Sequence, residues 1–557
     1  MTITRQSPLK TEEKSNSALK ISANIVDVLN SKIFPGTLEV RNGRITSIVE
    51  DTTEYPTFIL PGFVDSHIHI ESSLLTPSEF ARMAVRHGTV ATVSDPHEIG
   101  NVLGVEGVRY MIENGRTVPF KFYFGAPSCV PATRFETSGA EIGLPEIEGL
   151  FKNNEAKFLS EVMDFTGVLR GDPEVTDKIR LAHAYGRRVD GHAPGPRGAA
   201  LKAYAAAGIS TDHEVVSREE ALERIGLGMK IQIREGSAAK NFHTLQSLIT
   251  EYPGRCMLCS DDKHADDLSQ GHIDALVKRA LSSGLDLMKV LISACVTPVL
   301  HYGLDVGLLR EGDDADFIEI NNFGDLRILR TYIKGDLVAE NGSTLLPWRP
   351  SLVVSGFKAQ KKKTIDLSVR RIGNRMNVIE VFDGQLVTER RHATPKTSDG
   401  NVISDVENDL LKIVVVNRYR DAPPAVAFVK NFGLKRGAIA SSIAHDSHNI
   451  VAVGVSDEDI CQAVNAVIEQ QGGLSVVHND VVEVLPLPVA GIMTDDEGPT
   501  VAERYSRLNR LVKNIGSRLS SPLMTLSFMA LLVIPKIKLS DKGLFDAEKS
   551  EIIGLFE

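Results

Sequence analysis

Two histidines one residue apart, in Val64-Asp65-Ser66-His67-Ile68-His69, carry the first chemical signal of this chain. In an extended strand alternate side chains share a face, so His67 and His69 project together as the two prongs of a metal clamp. Neutral imidazole is the commonest protein metal ligand. Further polar clusters follow: Asp95-Pro96-His97-Glu98, Ser160-Glu161, Asp190-Gly191-His192, Asp212-His213-Glu214, Arg234-Glu235 and Ser260-Asp261-Asp262. The imidazoles of His67, His69, His192 and His213, with the carboxylates of Glu161 and Asp261, are the right kind and number to hold two adjacent divalent ions. A donor set without thiolate suits Zn, Mn or Fe(II). Two ions sharing a hydroxide offer a nucleophile at neutral pH and a clamp for developing charge. Glu161 is placed to bridge them, and Asp261 both to ligate and to take the hydroxide's proton.

These residues need a frame that brings distant segments together. From Gly62 onward the chain alternates short apolar runs, near Phe63, Val90, Phe122, Phe158, Val189, Ile209, Ile231 and Met257, with helix punctuation. Thr76-Pro77-Ser78-Glu79 reads as a capping box; Asp172-Pro173 and Ser217 open two more helices, and Gly271 to Gly284 frames a fourth. Strands alternating with helices predict parallel βαβ units, and eight of them predict a (β/α)8 barrel. The polar clusters then fall at the C-terminal ends of its strands, where such barrels carry catalysis. An open doubly wound sheet is the alternative, but no Gly-x-Gly-x-x-Gly occurs at a strand end.

The flanks read differently. Residues 18–60 and 304–345 are strand-like, with a hairpin at Asn42-Gly43, and predict one small β-sandwich built from both sides of a barrel at 61–303. Residues 1–17 read as a disordered tail, 346–363 as a linker, and 364–557 as a separate C-terminal α/β domain. The fold class is thus α/β throughout.

Composition narrows the classes. The chain has 557 residues, 42% hydrophobic and 24% charged, as in ordinary globular proteins. With 62 basic against 72 acidic residues and no basic block, a nucleic-acid surface is disfavoured. Five cysteines give no disulfide framework and fit a cytoplasmic protein; Cys256 and Cys259 read as buried and inert. No apolar run spans a bilayer, so no membrane partner is expected.

The clusters at His67, Asp190-Gly191-His192, Asp212-His213 and Ser260-Asp261-Asp262 resemble the metal-dependent amidohydrolase superfamily over about residues 18 to 345. Many binuclear members carry a carboxylated lysine after the fourth strand; here that place holds Glu161. With His67-Ile68-His69-Ile70-Glu71-Ser72-Ser73, Asp95-Pro96-His97-Glu98-Ile99-Gly100-Asn101 and Gly191-His192-Ala193-Pro194-Gly195, this is similar to the bacterial adenine deaminase family. Ile443-Ala444-His445-Asp446-Ser447-His448 and Leu487-Pro488-Val489-Ala490-Gly491 resemble that family's C-terminal domain. The resemblance implies purine salvage by hydrolysis of adenine to hypoxanthine and ammonia. Mn or Fe(II) is the implied metal, two ions per chain, with Zn also admissible.

On that reading a metal-bridging hydroxide attacks C6 of adenine, and Asp261 relays a proton to the amine. N1 must also be protonated, for which Glu235 is the first candidate and Glu98 the second. Asp262 is assigned to the imidazole edge of the base. For His97 and Glu98, substrate contact, support of the ligands and helix capping all fit. His445 and His448 belong either to a turn or to a domain that closes the site. A cyclic amide hydrolase or deacetylase on the same scaffold is the enzymatic alternative, and a catalytically dead assembly protein the non-enzymatic one. The chain lacks the His-x-Glu and Pro-Cys-x-x-Cys signature of the zinc deaminases. A small-molecule substrate and a homo-oligomeric state complete the expectations.

Overall fold

A computed structural model describes residues 19–479 and 481–557; the tail expected at 1–17 lies outside the described residues. Eight parallel strands form the centre: β1 (Phe63–Ile68), β2 (Thr89–Ser94), β3 (Lys121–Phe124), β4 (Leu159–Val162), β5 (Val189–Gly191), β6 (Thr211–Asp212), β7 (Lys230–Arg234) and β8 (Cys256–Cys259). The apolar runs read from the sequence lie on or directly before these strands. The ring closes where the Asp261 N–H donates to the His67 carbonyl at 3.0 Å and the Ser66 hydroxyl to Leu258 at 2.9 Å. All five cysteines are free and buried, Cys256 and Cys259 within β8. Among the described residues no helix is long and apolar enough to cross a membrane.

Local signals explain some of the barrel helices. Asp172 and Ser217 accept the N–H groups of Glu174 and Glu220, capping the helices Pro173–Ala184 and Arg218–Gly226. The capping box at Thr76 does not form. Thr76 pairs with Ser351, and Glu79 accepts the N–H of Gly498 at 2.8 Å. Glu79 therefore caps a helix of the C-terminal domain, Gly498–Asn514, because that helix end would otherwise be buried with an orphan donor.

The expected sandwich is instead one continuous sheet. Its eight strands come from both flanks, and Phe58–Pro61 pairs on one side with Leu19–Asp27 and on the other with Phe317–Ile320. Hydrogen bonding runs unbroken through all eight, and the two flanks pack against each other: Ile25, Leu38 and Val40 share one small core with Phe317 and Tyr332, and the Ile45 N–H donates to the Asp313 carbonyl at 3.0 Å. Its hairpin turns at Asn42 and Gly43, both at positive φ, as a type I′ turn requires. The sheet leads into β1 through Gly62, where a Cβ would lie 2.4 Å from the Val90 side chain.

The C-terminal region holds a second eight-stranded sheet, mostly antiparallel, from Met376–Val381 to Val481–Pro486, with the helix Asp457–Glu469 packed on it. A three-stranded meander, Ile537–Ser540, Gly543–Asp546 and Glu551–Ile553, follows a short helix at Pro522–Ser527. Residues 345–363 have no regular structure and lead into a 3-10 turn at Thr364–Leu367, yet Ala359 and Lys362 are buried, so the segment packs as a strap.

Candidate metal centre

Aspartates set the strand ends. Asp65, Asp95 and Asp212 each accept the N–H two residues further on, from His67, His97 and Glu214. This local bond turns the chain out of the strand and aims the next side chains inward. Asp65 also accepts from the Ser260 hydroxyl and from His272 Nε2, tying β1 to β8. Asp190 accepts from Thr211 and Tyr302, and Asp212 pairs with the fully buried Arg224. Asp261 adopts φ +56°, a left-handed turn directly after β8 that is uncommon for a non-glycine residue.

Glu161, at the end of β4, is the hub. One oxygen, Oε1, stands 3.6 Å from His69 Nε2; the other, Oε2, stands 3.0 Å from both His192 Nδ1 and His213 Nε2 and 3.8 Å from His67 Nε2. Asp261 Oδ1 lies 3.5 Å from His67 Nε2 and 3.3 Å from His69 Nε2. His67 and His213 stack at 4.2 Å. All six side chains are buried. His69 Nδ1 faces the Asp95 carbonyl at 3.2 Å; as a donor there it leaves Nε2 free as a ligand. His67 Nε2 has no hydrogen-bond partner. A buried nitrogen left without a partner among converging carboxylates fits a site built for cations.

Charge is arranged to match. Burial opposes ionisation of Glu161, but His192 and His213 outweigh it and hold the carboxyl well below its usual range. Burial likewise opposes ionisation of Asp261, and Arg234 with His67 and His69 overcomes it. Arg234 makes the strongest local pairing: Nη1 is 2.5 Å from Asp261 Oδ2 and 2.6 Å from Glu214 Oε1, and Nη2 is 2.9 Å from Glu214 Oε2. It leaves Asp261 Oδ1 facing the imidazoles.

The amidohydrolase family model matches residues 58–338, and that of the adenine deaminase C-terminal domain matches residues 385–551. The adenine deaminase of Salinibacter ruber is 53% identical over 542 residues, 97% of this chain and 99% of that protein. The chain belongs to the adenine deaminase family. Other adenine deaminases of the family, from Sulfurovum sp. and Methanosarcina mazei, are 53% and 49% identical, each over 96% of this chain and 98% or more of their own length. The chain is therefore a metal-dependent amidohydrolase with a TIM-barrel-type domain and a C-terminal domain of adenine deaminase type.

Against this family frame the remaining candidates separate. His97 reaches the ligand cluster, its Nδ1 3.6 Å from Glu161 Oε1, and its Nε2 meets Asp446 of the C-terminal domain at 3.4 Å. Glu98 lines the cavity and is clamped by two C-terminal imidazoles, by His445 Nδ1 and by His448 Nε2 at 2.5 Å. Asp262 accepts from the Ser72 hydroxyl and borders the same cavity. Glu235 does not reach it. Its carboxylate turns outward onto Arg279 at 2.6 Å, with Lys240 nearby. In β7 Gln232 and Arg234 point inward, so period-two alternation sends Glu235 the other way.

Sequence reasoning left Glu214, Arg234 and Asp446 without roles. Glu214 and Arg234 stood within clusters already marked, and inward parity of Arg234 with Gln232 was a usable signal. Nothing local marked the apolar lining, Met163 from the barrel and Leu386, Phe528, Leu531, Val533 and Ile534 from the C-terminal domain.

Proposed function

We propose that this chain hydrolyses adenine to hypoxanthine and ammonia at the mouth of the barrel. The observation that carries the reading is the position of Glu161, whose Oε1 faces His69 and whose Oε2 faces His192 and His213 with His67 3.8 Å away, so that one carboxylate reaches all four imidazoles. His67, His69, Asp261 and Glu161 would hold one ion, and His192, His213 and Glu161 the other. The donor set favours Mn or Fe(II) and admits Zn. When bound, the ions supply an activated water at neutral pH and offset the negative charge that develops during attack. Ligation requires neutral imidazoles, so binding of the ions displaces protons from the histidines.

The chain's own residues do the rest. Asp261 Oδ1 accepts a proton from the attacking water and passes one to the departing amine, while Arg234 fixes its other oxygen. Glu98 replaces Glu235 as the group that delivers a proton to N1. It borders the cavity; His445 and His448 outweigh burial and hold its carboxyl well below the usual range, so the proton rests on His445, pushed up to about 9 as Glu98 outweighs burial, and passes to N1 through Glu98. Asp262, with one oxygen held by Ser72, receives the imidazole edge of the base. His97 and Asp446 close the rim between the ligands and Glu98.

The test is ammonia release from a panel of purines and pyrimidines by protein loaded with Mn or Fe(II). Release from adenine is expected, with none from cytosine, and no turnover of hydantoins or N-acetyl sugars. Preference for adenosine or guanine would overturn the substrate; hydantoin or deacetylase activity alone would overturn the reaction.

A further inference from the structure

A purine presents a polar edge and two flat apolar faces. The barrel end offers charge and imidazole almost throughout, which suits the edge and the reacting carbon. The opposite side of the same cavity is different in kind: Leu386, Phe528, Leu531, Val533 and Ile534 form an apolar wall. Every one of them comes from the C-terminal domain, and four lie within one short segment that passes from a helix, Pro522–Ser527, through a 3-10 turn at Phe528–Ala530 into coil.

The wall is tied at two points. The Phe528 ring stacks on His445 at 4.9 Å and 18°, and His445 in turn holds Glu98 of the barrel. Behind the wall Lys538, on the strand Ile537–Ser540, is completely buried. Its Nζ donates to the carbonyls of Leu386 at 2.6 Å and Phe528 at 3.0 Å, joining the two chain segments that make the wall. Among the described residues no carboxylate lies within ion-pair distance of it. A buried lysine satisfied only by backbone carbonyls is costly, and burial alone brings its pKa down to about 7. Its placement is explained by what it holds.

The free space between wall and barrel is about 30 Å³, room for only a few waters. The barrel side is fixed by strand hydrogen bonds and buried ion pairs; the wall is a turn and a coil.

We propose that this wall is the base-recognition surface of the enzyme, with Phe528 as a specificity-determining residue that takes the apolar face of the base and Lys538 as the positioning residue that holds it. The inference rests on adenine being the substrate. An apolar or aromatic contact with a base is worth roughly five- to a hundredfold in binding.

The experiment compares metal-loaded wild type with Phe528→Ala, Phe528→Leu and Lys538→Met, measuring bound metal, KM and kcat for adenine and calorimetric Kd for hypoxanthine. In Phe528→Ala, KM and the hypoxanthine Kd rise about tenfold, more than kcat falls, with two ions per chain retained. Phe528→Leu keeps an apolar wall without the ring and gives an intermediate shift. Lys538→Met moves KM and Kd in the same direction by about threefold. If Phe528→Ala does not fold, Phe528→Leu and Lys538→Met decide. Wild type active on adenine, with KM and Kd in the folded variants unchanged within twofold or only kcat lowered, overturns the wall. No ammonia from adenine in wild type overturns the substrate reading itself.

Discussion

The two sides of the catalytic cavity are built on opposite principles. On the barrel side every chemical group sits at a strand end, locked by aspartates that bind the next backbone N–H and by buried pairs such as Arg234 with Glu214 and Asp261. On the C-terminal side the lining comes from separated loops, residue 386, residues 445 and 446 and residues between 528 and 534, held by a ring stack and by one lysine on two carbonyls. Rigid elements place reacting atoms more precisely than loops do, and a loop wall can yield to admit a substrate. The contrast is the one the proposal rests on: polar groups come from the barrel side of the cavity, and the apolar wall from the second domain.

The contrast breaks most easily at the hub. Glu161→Gln removes the charge that serves both ion positions. Bound metal is expected to fall from two ions per chain to one or fewer, and ammonia release by about three orders of magnitude. Two ions retained with a rate within tenfold of wild type would mean that Glu161 does not bridge.

Arg234→Met tests whether the barrel side is locked by its buried pairs. It strands the carboxylates of Glu214 and Asp261 in the interior. Loss of one partner of a buried pair costs about 3–5 kcal/mol. A lowered denaturant midpoint is expected, together with lower activity; an unchanged midpoint would show that the pair contributes nothing to rigidity.

Glu98→Gln and Glu235→Gln sharpen the comparison at the domain boundary. The first is expected to lower kcat roughly a hundredfold, the ordinary scale of a lost acid. The second, turned onto Arg279, changes kcat less than about threefold. The reverse result would return the N1 proton to strand β7 and detach His445 and His448 from catalysis.

The smallest effect is the pH dependence of the wall's anchor. Burial lowers Lys538 from 10.5 to about 7, so between these values the unfolded chain holds a proton that the folded chain does not. Stability contributed at this site therefore rises as pH increases from about 7 toward 10.5, and is lowest at and below about 7. Wild type should gain stability relative to Lys538→Met across that window in paired unfolding curves. A parallel pair of curves would place the lysine in contact with water or with a hidden anion.

Much of the barrel side was legible before any fold was known. His67-x-His69, Glu161, His192, His213 and Asp261 announce themselves because strand and turn rules are local: an apolar run ends, an aspartate caps the turn, and a side chain that joins the buried cluster follows. Glu235 failed on the same rule applied one residue too far, since the inward parity of Gln232 and Arg234 points it outward. The capping box at Thr76 failed for a non-local reason, because Glu79 was needed by a helix 419 residues away. His445 and His448 looked equally like a turn motif, and only their shared grip on Glu98 distinguishes them.

By itself the sequence determined a strand-and-helix rhythm, a set of candidate ligands without thiolate, and through its resemblance a metal-dependent hydrolase of the adenine deaminase kind. The tertiary structure decided that Glu98 lines the cavity while Glu235 pairs with Arg279, that both flanks form one sheet, and that residues of the second domain line the cavity. The division has a physical cause. Polar groups at strand ends stand out against an apolar run, whereas Leu386, Phe528 and Ile534 are chemically identical to core residues until folding sets them opposite the histidines.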